Sequence, residues 1–274
     1  MTTPPDLQRA FTGEIPRYYD ECLGPAWFGR IATDLARRLP VDPGGDVLEL
    51  ACGTGQQTRP LRERLDPRRR LVATDLNRAM LDYGRAKMGD LTGIAWEVAD
   101  AGKLQFREGE FAAVACSLGV MFVPDKKAFF SEARRVLAPG GLLLFNVWDR
   151  PEENPCPRIY GEVIEAMYPG DPEIRFRTPY LMYDVEMLRG LVEGGGFRIR
   201  RLERARVPIE GVTARQVAVG QVRGTPRGLL LVKRGGNLEE AIERVTAALE
   251  AEGGAGDAFS LQAQAIVVEA EAVK

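Results

Sequence analysis

Residues Val47-Leu48-Glu49-Leu50-Ala51-Cys52-Gly53-Thr54-Gly55 read as a buried strand that ends in a glycine turn. Gly53 and Gly55 carry no Cβ, so the chain can turn sharply there and bring its backbone close to a ligand. Asp75 closes a second apolar stretch twenty residues beyond Gly55. A glycine turn beside an acid suits a nucleotide-like ligand whose sugar hydroxyls need an acceptor. A dinucleotide would want a third small residue at the sixth position of Gly53-Thr54-Gly55-Gln56-Gln57-Thr58, where this chain has threonine, and Glu49 would repel its pyrophosphate. An acid at position 49 better suits a ligand carrying ammonium and sulfonium charges.

Working outward, the strand-helix plan repeats. Residues 26–39 place Phe28, Ile31, Leu35 and Leu39 at helical spacing, with Arg30, Asp34 and Arg37 between them. A helix is expected over 55–65, a strand over 71–74, a helix over 77–88 carrying Met80, Leu81 and Met88, and strands over 95–98 and 111–116. A helix over 126–137 is closed by Pro139-Gly140-Gly141 before a strand at 142–147. Short apolar strands alternating with helices of about ten residues indicate an α/β fold with a parallel sheet and right-handed crossovers.

After Asp149 the rhythm breaks. Residues 150–183 hold Pro151, Pro155, Pro157, Pro169, Pro172 and Pro179, with Tyr160, Tyr168, Phe176, Tyr180 and Tyr183 among them. That composition is too apolar for a free linker and suggests a lid over the carboxyl edge of the sheet, where ligands bind in open α/β folds. A helix at 184–193, a strand at 197–207, a helix at 238–249 and a strand at 261–268 follow, while 211–232 fits neither pattern. The expected division is an N-terminal helical cap (1–40), a ligand-binding core (41–149), a lid insertion (150–183) and the C-terminal part of the sheet (184–274).

Composition sets bounds. A chain of 274 residues with 45% hydrophobic content buries a large core, and a net charge of −2 offers no basic excess for nucleic acid. Cys22, Cys52, Cys116 and Cys156 lack the short paired spacing of a zinc or redox site. No apolar run approaches membrane-spanning length and no leader-like segment opens the sequence, so a soluble cytoplasmic protein is expected. There is no histidine, which removes the commonest general base near neutral pH and the commonest transition-metal ligand.

Four segments taken in order make the pattern specific. The glycine turn resembles motif I of the class I S-adenosylmethionine-dependent methyltransferases, with Ala51 where the first glycine often sits. Asp75-Leu76 resembles the family's ribose acid and its adenine neighbour, and Asp100-Ala101 the segment that reads the adenine amino group. Phe111 to Val123 resembles the next strand and its ligand-facing end, and Ala133-Arg134-Arg135-Val136-Leu137-Ala138-Pro139-Gly140-Gly141 the helix-to-strand turn. Tyr19-Asp20 and Gly24-Pro25 bring the chain nearest to the small-molecule methyltransferases related to ubiquinone and menaquinone biosynthesis. Two positions depart from that pattern, Ala112 in place of an aspartate and Ser117 in place of an asparagine or glutamine.

The resemblance implies a Rossmann-like, seven-stranded, mostly parallel sheet with helices on both faces. It implies S-adenosyl-L-methionine as cofactor, held by Tyr19, Glu49, Ala51, Cys52, Gly53, Gly55, Thr58, Asp75, Leu76, Met80, Asp100, Ala101, Ser117 and Leu118. Methyl transfer from a sulfonium draws mainly on alignment, so the missing histidine is tolerable. Asp149 at a strand end and Tyr18 or Tyr19 are the candidate bases, and Met121, Phe122 and Trp148 the expected acceptor wall. No metal is expected. The partner is a small-molecule acceptor, with O-, C- or N-methylation and a homodimer left open. Binding of S-adenosylmethionine without transfer, or a nicotinamide oxidoreductase, are the alternatives.

Overall fold

The computed structural model describes residues 10–175 and 178–273; Phe176 and the first nine residues of the expected cap lie outside the described residues. Strand β1 (Val47–Glu49) pairs in parallel with β2 (Leu71–Asp75) on one side and β4 (Phe111–Ser117) on the other. Strand β3 (Ile94–Val98) extends the sheet beyond β2, and β5 (Leu137–Trp148) lies parallel to β4. The last strand, β7 (Leu261–Ala272), inserts antiparallel between β5 and β6 (Phe197–Ile209), giving the order β3-β2-β1-β4-β5-β7-β6.

Side-chain alternation explains why the central strands are continuously apolar. Val47, Ala113, Ala115 and Leu144 face a core shared with Leu35, Leu39, Leu61 and Leu65. Leu48, Val114, Leu143 and Phe145 face the opposite core, with Phe129, Phe130 and Val136. Both faces are therefore covered, as a parallel sheet requires. The Pro139-Gly140-Gly141 turn lies inside β5 as a register shift, Phe111 pairing with Leu137 and Ala113 with Leu142. The strand thus begins five residues before the expected 142.

Helices α1 (Ile15–Tyr18) and α2 (Gly29–Arg38) are joined without a break by a π-helix, Tyr19–Phe28, so the N-terminal helical run starts well before the expected residue 26. Helices α3 (Thr58–Arg64), α4 (Arg78–Lys87) and α5 (Lys126–Val136) are the crossovers. The segment 150–183 contains α6 (Pro155–Met167), and α7 (Val185–Gly194) precedes β6.

The unreadable stretch 211–232 is helical. Thr213 closes a capping box with Gln216 to start α8 (Ala214–Arg223), and Pro226 opens α9 (Pro226–Lys233). Helix α10 (Leu238–Gly253) then leads to β7. The segment 184–274 therefore does more than finish the sheet: α8 packs on the π-helix and α10 on α6 and α8. No helix among the described residues is long and apolar enough to cross a membrane.

Candidate active site

The strand order reverses between β1 and β4, and the crevice at such a switch point is where open α/β sheets bind ligands. A cavity of about 500 Å³ opens there. One wall is the glycine turn. Ala51 and Gly53 adopt positive φ angles of 54° and 55° and line the cavity, and Gly55 follows at 84°. A left-handed alanine is strained by roughly 1–2 kcal/mol, so the surrounding structure must hold it. Gly119, after β4, is what permits the close fit: a Cβ there would come within 2.5 Å of Ala51 Cβ and 2.8 Å of Cys116 Sγ.

Asp75 closes the floor. Its carboxylate accepts the backbone N–H groups of Gly53 at 2.8 Å and Asn77 at 2.7 Å. Burial raises its pKa, and those two N–H donors oppose the shift. Asn77 in turn caps α4, accepting from Ala79 and Met80, which brings Met80 to the cavity wall. Leu76, Asp100 and Ala101 also line the cavity, and Asp100 is oriented by the Gly102 N–H at 2.8 Å.

Opposite stands the end of β4. Ser117 and Leu118 line the cavity, and Leu118 has φ 52°. Asn146, fully buried in β5, accepts the Leu118 N–H at 2.8 Å and the Ser117 hydroxyl at 3.3 Å, fixing that strained corner. Sequence reasoning passed over Asn146, although a polar residue inside Leu142-Leu143-Leu144-Phe145-Asn146-Val147-Trp148 was a signal.

The π-helix supplies the next wall. Asp20, almost fully buried, accepts from Lys87 Nζ at 2.7 and 2.8 Å and from Gln56 Nε2 at 2.6 Å, tying the helix to α4 and to the glycine turn. Tyr19 beside it stacks on Phe28 with centroids 4.6 Å apart, and Phe28 and Trp27 meet Trp148. All four rings line the cavity. Burial, then the Asp75 charge, pushes the Tyr19 phenol far up, so it stays protonated at neutral pH.

Several expected site residues stand off the cavity wall. Asp149, expected as a base, is fully buried and ion-paired: its Oδ2 accepts from Arg204 Nε at 2.7 Å and Gln264 Nε2 at 2.6 Å, and its Oδ1 from the Arg150 N–H. It locks β5 to β6 and β7 and does not line the cavity. Tyr18 lies under the Arg17 guanidinium, 4.4 Å from its ring centroid, with Arg223 at 5.8 Å, also away from the cavity. Met121 is wholly buried in the core, whereas Phe122 and Trp148 do line the cavity.

Glu49, Cys52, Gly55 and Thr58 do not line the cavity. Neither Glu49 oxygen has a well-formed hydrogen bond, and burial lifts its pKa to about 8 despite the nearby Thr58 hydroxyl. Burial likewise raises the Cys52 and Cys116 thiols, the latter to about 12, leaving them as small apolar groups. Among the described residues no three His, Cys, Asp or Glu side chains converge as metal ligands.

The roof of the cavity comes from α6, the short turn Thr178–Tyr180 and the stretch 211–232. Tyr160, Tyr180, Gln221, Thr225 and Arg227 line it. Only the first two fall in the segment expected to form the lid. The helix-start signals Thr213…Gln216 and Thr225-Pro226 could have placed the others.

A central parallel sheet closed by the antiparallel strand β7, with an acid-floored glycine turn at its switch point, is the Rossmann-like fold of class I S-adenosylmethionine-dependent methyltransferases. Comparison with known proteins agrees, and residues 47–141 match the family model described as "Methyltransferase domain". The ubiquinone/menaquinone biosynthesis C-methyltransferase UbiE of Shewanella oneidensis is 32% identical over 121 residues, 43% of this chain and 48% of that protein. UbiE of Stutzerimonas stutzeri is 32% identical over 168 residues, 56% of this chain and 65% of that protein. The chain thus spans about half to just under two thirds of the length of these curated relatives. A Bacillus halodurans crystal structure, provisionally described as a methyltransferase, superimposes with a TM-score of 0.59 at 18% identity, covering 89% of this chain and 99% of that one.

Proposed function

We propose that this protein transfers a methyl group from S-adenosylmethionine to a small-molecule acceptor. The observation that carries the reading is a single cavity in which the Gly53 and Asp75 cradle and a wall of aromatic side chains are continuous. The residues fit that cofactor: Asp75 keeps acceptor capacity beyond its two backbone partners for ribose hydroxyls, Asp100 stands beside it, and Leu76, Met80 and Ala101 offer apolar surface to a purine. When bound, S-adenosylmethionine supplies a methyl group on a sulfonium that departs as a neutral thioether.

The chain's own part is alignment and exclusion of water. Trp27, Phe28, Phe122 and Trp148 make a mostly dry wall that orients a flat acceptor, and the Asp20 anchor keeps Tyr19 and Phe28 over the glycine turn. The carboxylates lining the cavity among the described residues are Asp75 and Asp100, both at the cofactor end. A general base is therefore not supplied from that wall, and the reading favours an acceptor that arrives ionised, such as a phenolate, or one activated at an acidic carbon.

The lack of a base on the wall also supports a second reading, binding of S-adenosylmethionine without transfer. Calorimetry with S-adenosylhomocysteine and NAD, followed by incubation with methyl-labelled S-adenosylmethionine and phenol, quinol and amine acceptors, separates the cases. Binding of S-adenosylhomocysteine with labelled product supports transfer. Binding without product from any acceptor class favours the second reading, and preference for NAD removes both.

A further inference from the structure

Gln221 on α8 is 2% exposed and lines the cavity, and neither its amide nitrogen nor its amide oxygen has a hydrogen-bond partner. Exchanging the two ends of the amide changes nothing, because neither is bonded. A buried amide left dry has given up water at both ends without replacement, so native proteins keep one mainly where a ligand or an ordered water completes it. Its neighbours in the roof are already engaged. The Tyr160 hydroxyl is in hydrogen-bond contact with Thr225, whose own hydroxyl donates to the Gln221 main-chain carbonyl at 2.7 Å. Arg227 is partnered within the fold, its guanidinium 5.0 Å from the centre of the Tyr160 ring.

Helix α8 holds this amide in a fixed place. A Cβ at Gly220 would come within 2.6 Å of Leu23 Cδ2 and 2.7 Å of Cys22 Cβ, and one at Gly224 within 2.6 Å of the Tyr19 main-chain nitrogen. The helix therefore lies directly on the π-helix on either side of Gln221, and the Thr213 and Gln216 capping box secures its start. An amide on so tightly seated a helix is a preorganised pair, one end donating and the other accepting.

We infer that Gln221 determines specificity by reading a neutral group on the acceptor that donates and accepts at once, as the edge of a carboxamide or lactam does. A carboxylate would satisfy Nε2 and face the Oε1 lone pairs with like charge, and an ammonium would do the reverse. Either ion would also lose its water at a buried position. A ketone would leave Oε1 unpaired. The word acceptor rests on the methyltransferase reading. The amide site itself can be tested without it.

The probes are 2-naphthamide, 2-acetonaphthone, in which a methyl replaces the amide NH2, and 2-naphthoate, in which a charge does. Each is titrated by calorimetry into the full chain, both free and saturated with S-adenosylhomocysteine. The amide should bind about tenfold more tightly than either of the others, the margin of a hydrogen bond made against one left unmade. Gln221→Met, close in length, and Gln221→Leu should each bring amide and ketone to within about twofold of one another and leave S-adenosylhomocysteine affinity unchanged. Both should withstand urea at least as well as the wild type, because an apolar side chain replaces an unpaired buried amide. Either variant carries the test if the other fails to fold.

Equal affinity for amide and ketone, tighter binding of the naphthoate, or no binding of the amide overturns the inference. So does a preference that survives the variants, or a loss of stability in both, because a buried water or a structural bond would then complete Gln221. Loss of S-adenosylhomocysteine affinity in the variants overturns it as well, since the amide would then read the cofactor. Amide preference in a protein that ignores S-adenosylhomocysteine would sustain the site and remove the methyltransferase reading.

Discussion

The Asp75 carboxylate, at the end of one strand, accepts the Gly53 N–H at 2.8 Å from the turn that ends its neighbour. The same carboxylate takes the Asn77 N–H, so one side chain joins β2, the glycine turn and the start of α4. Asp75 also lines the cavity and keeps acceptor capacity beyond these two bonds. In Asp75→Ala, S-adenosylhomocysteine affinity should fall by about 2–3 kcal/mol, since a charged acceptor is lost and ligand hydroxyls are left unpaired. Calorimetry on a variant shown to be folded by circular dichroism decides it, and unchanged affinity rules out the proposed pose.

The core of the fold was legible because its signals are local. Leu71 to Thr74 and Phe111 to Cys116 are apolar runs bounded by turn residues, and each lies within a strand of the structure. Asp75, Gly53 and Asp100 could be found because a glycine turn and a strand-end acid carry their chemistry in sequence. The acceptor end was illegible for a different reason. Tyr160, Gln221 and Arg227 come from α6, α8 and α9 and meet only through the packing of α8 on the π-helix and of α10 on α6, which no local period encodes. Asp149 shows the converse limit: its place at a strand end suggested chemistry, but its partners Arg204 and Gln264 lie on β6 and β7, far along the chain.

Asp149→Asn should accordingly cost stability and not ligand binding. The substitution removes the charge facing Arg204 and weakens the bonds from Gln264 and the Arg150 N–H. With Arg204 half-exposed, the loss should be about 1–2 kcal/mol, well short of a sealed ion pair. Urea unfolding should show the shift, while S-adenosylhomocysteine affinity stays within about twofold of wild type. A large fall in affinity with stability unchanged would return Asp149 to the site.

Lys87 and Asp20 hold the aromatic wall in place. Asp20 is 6% exposed and Lys87 40%, so removing the lysine leaves a carboxylate in a poorly solvated position with Gln56 as its remaining side-chain donor. Lys87→Met should destabilise the protein by about 1–3 kcal/mol and loosen the π-helix, weakening S-adenosylhomocysteine binding as Tyr19 and Phe28 lose their anchor. Adding Asp20→Asn should restore part of the stability, because the stranded charge is gone. Strictly additive losses in the double variant would show that the two residues do not act as a pair.

Glu49 makes the stability of the free protein depend on pH. Buried in the folded chain, its carboxyl holds a proton up to about 8, whereas in the unfolded chain it ionises near its ordinary 4.5. A raised carboxyl pKa means that the native state binds the extra proton, so its contribution is intact below about 4.5 and is lost progressively as the pH climbs through 8. Stability should therefore fall across that window by an amount on the order of a few kcal/mol. Glu49→Gln, which keeps the shape and cannot ionise, should flatten the decline and be the more stable form at pH values near 9. Chemical denaturation of both proteins at intervals between about pH 5 and 9 makes the comparison, and parallel curves would show that Glu49 is already ionised in the folded state.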